Sequence, residues 1–496
     1  MKIAYAQMKI SAGHPDLNAK KILKFIDEAK NQKSDVIIFP ECAISGKMLG
    51  ETLNQQSFLR DCELFTEEII SAAKNIVVVL DGAKKFDNFD VKFLSEPFSL
   101  EKNVIDEKIT RPTIKIGCVG IQNTGKTIYV FDGGCAVYNS RGKVVQRAEM
   151  FAECLNFVEL EEIDKMPALK LPDVSETEKI YRAISYGVKN FLEQIGIKKI
   201  VIGVSGGIDS AVAAALYTKI CGAENVYLVN MPSKFNSATT KNLSEQLAKN
   251  LGCKYFVVPI QESVDWTVKQ LESVGLEVSD FVKENIQARD RSARILAAIA
   301  ASVGGGFTCN ANKAESTVGY ATLYGDATGF LSALADLWKF QVYDLARYMN
   351  EKIFCREVIP QGIIDIVPSA ELSTAQNVDE GKGDPLKYPY HDYLFRAFAE
   401  RHLTPEDILN WYAEKVLEEN IGCAAGLVEK YFPTAADFIA DLERWWKQFT
   451  GISVAKRIQS PPILAVTENP YGARAESQNC IHFTKKYLEL KNRLLG

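Results

Sequence analysis

Two stretches of this sequence carry the glycines, hydroxyls and cations that phosphate chemistry needs. Residues 120–127, GIQNTGKT, match the phosphate-loop pattern G-x-x-x-x-G-K-[ST] letter for letter. Such a loop works only where its amides and lysine open a helix, whose partial positive charge holds the anion. Here Thr127 runs into IYVF, then Asp132-Gly133-Gly134 and CAVYNSRGKVV, a β-rich run with hairpin-turn residues. A hairpin is therefore predicted, with nucleotide chemistry centred on Lys126 as the alternative. Residues 203–210, GVSGGIDS, sit between the apolar run IVIGV and the small-residue run AVAAAL, a strand and a helix. Gly206 and Gly207 let backbone approach an anion, Ser205 and Ser210 add hydroxyl donors, and the helix aims its N-terminus at the same place. Asp209 would be repelled by a polyphosphate unless a divalent cation lay between them, so it reads as a Mg²⁺ ligand, or else as an ordinary helix cap.

Three further stretches carry polar groups of the same kind. ENIQARDRSAR, residues 284–294, places Arg291 and Arg294 on one face of a predicted helix by i, i+3 spacing, suited to phosphates or to a solvated face. NANKAESTVGYATLYGD, residues 310–326, supplies a second carboxylate, Glu315, and glycines that permit tight backbone approach. DLWKFQV carries Lys339, and PSAEL carries Ser369.

The elements that must position these groups follow from periodicity. A strand, a helix with Ile22, Ile26 and Ala29 on one face, and the strand DVIIFPE ending at Glu41 open the chain. KMPALKLPDVS, residues 165–175, holds two prolines and no periodicity and is taken as the linker between domains 1–165 and 166–496. Beyond it, helices alternate with KIVIGVS, NVYLVNM and KYFVV, which implies an α/β fold with a doubly wound parallel sheet. The chain's 496 residues are 47% hydrophobic and 24% charged, which excludes a largely disordered chain, and a net charge of −5 without a basic run gives no footprint for nucleic acid. The longest apolar run, from Ile295, is broken by Ser302 and three glycines and is too short to cross a bilayer. No signal or transit pattern opens the chain, so a cytoplasmic place is expected, with reduced and mostly buried thiols among the eleven cysteines. Neither these cysteines nor the four scattered histidines have zinc-ligand spacing.

The SGG-x-DS loop resembles that of the adenine-nucleotide α-hydrolase-like ATP ligases, and GVSGGIDS, ENIQARDRSAR, the 310–326 segment, DLWKFQV and PSAEL together resemble NAD⁺ synthetase in order and approximate spacing. The resemblance runs from about residue 176 to KRIQSPP at 456–462. It implies ATP contacts from Gly203, Ser205, Gly206, Gly207, Asp209, Ser210, Asn310, Lys339 and Ser369. It implies contacts to deamido-NAD from Asn285, Arg291, Glu315, Tyr320, Leu323 and Lys456, with Mg²⁺ at Asp209 and Glu315 and catalysis by Asp209, Glu315 and Lys339. Asn310 stands where threonine is common. The implied reaction is amidation of deamido-NAD through an adenylated intermediate, with AMP and pyrophosphate released, by a homo-oligomer built on a synthetase-domain dimer. The polar, Gly/Pro-rich segment 369–393 would close over the intermediate.

IAYAQMKISAGHPDLNAKKI followed by DVIIFPE resembles the nitrilase-like glutaminase domain fused to many such enzymes, with Glu41 as its base. That chemistry needs a cysteine nucleophile and a lysine as well as the glutamate. No cysteine lies between Cys62 and Cys118, and the candidate lysines are Lys84, Lys85, Lys92 and Lys102. The expectation is a truncated domain in which Glu41 is a glutaminase remnant, and free ammonia as nitrogen source. The alternative is glutamine with a rewired site using Cys42 or another thiol.

Overall fold

The computed structural model describes residues 1–80, 86–101, 108–472 and 481–496. It divides into two compact units, Met1–Gln194 with Ala465–Glu468, and Ile195–Leu464 with Asn469–Gly496.

The first unit opens with β1 (Lys2–Gln7), α1 (Pro15–Asn31), β2 (Val36–Ile38), α2 (Gln56–Ala72) and β3 (Val77–Val79). Ile22, Ile26 and Ala29 are buried on α1 as their spacing requires, and β1, β2 and β3 pair in parallel as a βαβ unit must. A second sheet follows, built from β4 (Asp90–Leu94), β5 (Thr113–Gly117), β8 (Ala136–Tyr138) and β9 (Val144–Arg147), while β6 (Val119–Asn123) and β7 (Thr127–Asp132), between β5 and β8 in the chain, pair with each other. Strands β4, β5, β8 and β9 form it in that order, while β10 (Cys154–Glu159) returns antiparallel to β1. The GKT run is the turn of the antiparallel β6–β7 hairpin, closed by Thr124 N donating to Thr127 O at 3.0 Å. No helix follows Lys126, so the phosphate-loop alternative loses the helix N-terminus it needs. Helix α3 (Glu176–Ile195), placed after the linker in the sequence reading, groups with this first unit except for its last residue.

The second unit is built on a parallel sheet in the order β13–β12–β11–β14, from β11 (Ile200–Gly203), β12 (Val226–Asn230), β13 (Lys254–Val257) and β14 (Gly306–Phe307). All five residues of β12 are buried, the unbroken apolar run of a strand covered on both faces. Between these strands run α4 (Ile208–Cys221), α5 (Ala238–Leu251), α6 (Gln261–Ser273), α7 (Asp280–Arg289) and α8 (Ala297–Val303). Helix α4 is small and apolar all round, and every residue from Ser210 to Thr218 is buried, so its N-terminus is fixed beside the end of β11. Later come α9 (Lys313–Val318), α10 (Lys339–Tyr348), α11 (Gln361–Asp365) and α12 (Tyr388–Ala399).

One predicted helix is corrected. ENIQARDRSAR is α-helical only to Arg289, and Asp290–Leu296 form a π-helical turn before α8. The wider turn separates residues three apart, so Arg291 and Arg294 do not share a face. Arg294 pairs outward with Asp290 through Nη2 to Oδ2 at 2.7 Å, while Arg291 turns inward. Burial of thiols also holds only in part: Cys118, Cys135 and Cys309 are buried, but Cys355 is exposed. Among the described residues, no helix is long and apolar enough to cross a membrane.

Candidate active site

The loop between β11 and α4 is shaped by Gly206, whose φ of +88° is a left-handed conformation natural to glycine. A Cβ there would meet Thr240 of α5 at 2.8 Å from its Cα and closer still to its carbonyl oxygen. Ser205 and Ser210 tie the loop to itself: Gly207 N donates to Ser205 Oγ at 3.2 Å, and Ser210 Oγ donates to Gly207 O at 3.0 Å.

Asp209, in the first turn of α4, meets two other elements. Lys339 Nζ, at the start of α10, donates to Asp209 Oδ2 at 2.5 Å and lies 3.5 Å from Glu315 Oε1 on α9. Asn312 caps α9 by accepting from Glu315 N at 3.0 Å and donates Nδ2 to Asp209 Oδ1 at 3.1 Å. Lys339 is only 3% exposed. Burial alone would push its pKa down, but Asp209 and then Glu315 outweigh this and hold the ammonium charged, its pKa above the usual range. Burial pushes the Glu315 carboxyl up, against the pull of Lys339 and with the push of Asp209. Two hard oxygen donors facing the opening of the Gly203–Ser210 loop suit a Mg²⁺ ion, and bringing one in would relieve that like-charge conflict. Among the described residues no group of three His, Cys, Asp or Glu could hold a metal by itself, so its remaining ligands would come from substrate phosphates and water.

Two cavities meet at this cluster. One, of about 250 Å³, is lined by Gly203, Ser205, Asp209, Ser210, Arg291, Asn310, Glu315 and Tyr320. The other, of about 160 Å³, is lined by Ser205, Gly206, Gly207, Asp209, Glu315, Tyr320, Lys339 and Ser369. Arg291 points into the first, donating Nε to Met231 O and Nη2 to Asn236 Oδ1, both at 3.1 Å. Burial of this guanidinium pushes its pKa down to about 10. Asn310 keeps its amide in play by accepting from Thr308 Oγ1 at 2.9 Å. Lys456 lines a separate small cavity with Glu315 and donates to Gly319 O at 2.7 Å. Asn285 and Leu323 line none of these: Asn285 Nδ2 donates to Phe281 O, and Leu323 O accepts from Arg289 Nε.

The segment from Ser369 runs along the second cavity. Asp384 Oδ1 holds it there, accepting from Ala370 N and from the Tyr320 hydroxyl, each at 2.9 Å. Glu371, buried and at φ +47°, accepts from Ser237 N at 3.1 Å and Thr240 Oγ1 at 2.7 Å. The sequence reading passed over Asn312, Glu371, Asp384, Tyr388 and Asp392. Only Asn312 had a local signature, the N-x-x-E spacing of a capping box.

In the first unit, Glu41 accepts from the Ser95 hydroxyl and lies 3.5 Å from Lys47 Nζ. The serine contact, more than the lysine, holds its carboxyl below the usual range. Lys47, which the sequence reading did not single out, is a described lysine beside Glu41; Lys84, Lys85 and Lys102 lie outside the described residues. Cys118 and Cys135 are buried and pushed up to about 12, which keeps them as thiols.

Residues 180–422 match the NAD synthase family and residues 2–83 the carbon–nitrogen hydrolase family. The chain is 28% identical to the glutamine-dependent NAD(+) synthetase of Aquifex aeolicus, over 82% of this chain and 91% of that one. It is 26% identical to the protein of the same name from Xylella fastidiosa strain Temecula1, over 95% and 97%. The solved glutamine-dependent NAD(+) synthetase of Cytophaga hutchinsonii superposes with a TM-score of 0.77 at 15% identity, covering 100% of this chain and 99% of that one, a likeness of fold. The chain joins an NAD synthase domain to a short N-terminal carbon–nitrogen hydrolase domain.

Proposed function

We propose that this chain is an ATP-dependent ligase that amidates deamido-NAD to NAD⁺ and releases AMP and pyrophosphate. The observation that carries the proposal is the Lys339 ammonium set between Asp209 and Glu315 at the mouth of the Gly203–Ser210 loop. Loop amides, the α4 N-terminus and Lys339 neutralise the triphosphate while the nicotinate carboxylate attacks the α-phosphate, and they hold the pyrophosphate as it leaves. A Mg²⁺ held by Asp209 and Glu315 would add charge neutralisation at the phosphates. Ammonia then displaces AMP from the adenylated dinucleotide. Segment 369–387 lies where it would exclude water from that intermediate. Assembly through a synthetase-domain dimer belongs to the same proposal and is supported by the exposed Trp266, Val274 and Phe281 of the second unit. So does a cytoplasmic location, where ATP and the dinucleotide are found.

For the nitrogen donor two readings stand on different observations. The names of the relatives favour glutamine over free ammonia. The sequence favours ammonia, because no cysteine lies between Cys62 and Cys118, and the groups recorded against Glu41 are the Ser95 hydroxyl and the Lys47 ammonium. Cys42, adjacent in sequence at φ +53°, or another thiol would be the nucleophile in a glutamine reading. The test measures NAD⁺ formation from ATP, Mg²⁺ and deamido-NAD with ammonium or with glutamine. The ammonia reading expects activity with ammonium alone, unchanged by Glu41→Ala. Glutamine-supported synthesis that is lost in Glu41→Ala and on replacement of one cysteine, Cys42 or another, by serine would establish the glutamine reading instead.

A further inference from the structure

Lys339 stands between the two carboxylates in the geometry above, and residues outside its own helix help decide where its ammonium ends. Two residues of α12 meet it. Asp392 is 1% exposed, and its Oδ2 accepts from Phe340 N at 3.0 Å, one residue into α10 beyond Lys339. The first N–H groups of a helix have no intrahelical partner, so this bond fixes the turn from which Lys339 projects. Tyr388 lies one turn earlier on the same face of α12. Its hydroxyl donates to Glu315 Oε1 at 3.2 Å, and Lys339 Nζ stands 4.7 Å from the centre of its ring.

The helix that carries both is itself anchored. His391 Nδ1 accepts from Lys387 N at 2.8 Å, its Nε2 contacts Asp441 Oδ2 at 2.9 Å, and its ring stacks on Phe395. Asp392 is also an expensive way to cap a helix. Its Oδ1 is buried with no hydrogen-bond partner, and burial pushes its pKa up to about 7. Serine, threonine or asparagine would satisfy the same N–H without burying a carboxylate.

We infer that Tyr388 and Asp392 are the positioning residues of the ligase centre: Asp392 fixes the backbone under Lys339, and Tyr388 fixes its ammonium and Glu315 together. This rests on the proposed role of Lys339, and the experiment separates the two. The full chain is assayed with ATP, Mg²⁺, deamido-NAD and ammonium for kcat, both KM values and Tm.

Asp392→Ala is expected to lower kcat about tenfold or more, the loss typical when the group that orients a reacting residue is removed, with KM for deamido-NAD unchanged. Asp392→Asn is expected to recover most of that loss, because its amide oxygen still accepts from Phe340 N. Tyr388→Phe, which keeps the ring, is expected to retain more kcat than Tyr388→Leu. If Asp392→Ala fails to fold, the order of the other three variants decides. Folded Asp392→Ala or Tyr388→Leu protein with wild-type kcat overturns the inference, as does a loss of kcat that Asp392→Asn and Tyr388→Phe do not relieve. Lys339→Ala serves as the control. If it stays active the proposed function itself fails; if it is inactive while Asp392→Ala and Tyr388→Leu are wild-type, only the positioning fails.

Discussion

Replacing Gly206 by alanine is the sharpest perturbation of the phosphate loop, because it adds one methyl group and removes no polar one. Two terms oppose it. An L-residue at φ +88° leaves the allowed regions at about 1–2 kcal/mol. The new Cβ would also sit 2.8 Å from Thr240 Cα and closer to its carbonyl oxygen, backbone atoms that no rotamer change can move. Overpacking of that kind costs about 1–3 kcal/mol. Together these reach about 2–5 kcal/mol, a large share of the roughly 5–15 kcal/mol that holds a domain folded, though not all of it. The variant is therefore expected to fold with a clearly lowered Tm and a loop displaced from α5. Displacement matters more for ATP than for stability, since misplacement by about 1 Å at a positioning group costs about a hundredfold. Thermal unfolding followed by far-UV circular dichroism gives the first quantity, and pyrophosphate release against ATP concentration gives the second. A Gly206→Ala protein with both Tm and KM for ATP unchanged would refute the tight approach of loop and helix.

Asp209→Asn should abolish pyrophosphate release without loss of fold, because an amide is a weak ligand for a cation and a weak partner for Lys339 Nζ; near-normal turnover would remove Asp209 from the site. Lys126→Ala should leave ATP use unchanged, since Lys126 lies in the β6–β7 hairpin turn, and loss of ATP binding by folded protein would contradict that. The pH dependence of stability should carry the mark of Asp392. Its pKa is raised from 3.8 to about 7 in the folded chain, so its contribution is fully present below pH 3.8 and is lost as pH rises toward 7. Asp392→Asn, uncharged throughout, should flatten the fall of Tm across that window; an unchanged slope would count against the buried carboxylate.

Much of the site was legible because its signals are local. GVSGGIDS combines glycines, hydroxyls, an apolar strand before and a small-residue helix after, and each property acts within ten residues. The hairpin at Lys126 was legible for the converse reason, since nothing after Thr127 can form a helix. The shared face of Arg291 and Arg294 was misread because helical spacing assumes 3.6 residues per turn, and the π-helical turn at Asp290–Leu296 carries no local signature. Asp392, Tyr388 and Glu371 were illegible for a different reason. Each meets its partner across 52, 73 or more than 130 residues, and a lone buried carboxylate or tyrosine looks in sequence like any other. The same distance hid Ser95, which reaches Glu41 from 54 residues away.

The central claim is that the cluster of Asp209, Glu315 and Lys339 drives adenylation of a dinucleotide carboxylate. The most direct measurement is a product balance for the purified chain given ATP, Mg²⁺, deamido-NAD and ammonium. The expected result is NAD⁺, AMP and pyrophosphate in equal amounts, with no AMP formed when deamido-NAD is left out. ADP and orthophosphate appearing instead, or AMP forming at the same rate without the dinucleotide, would contradict it.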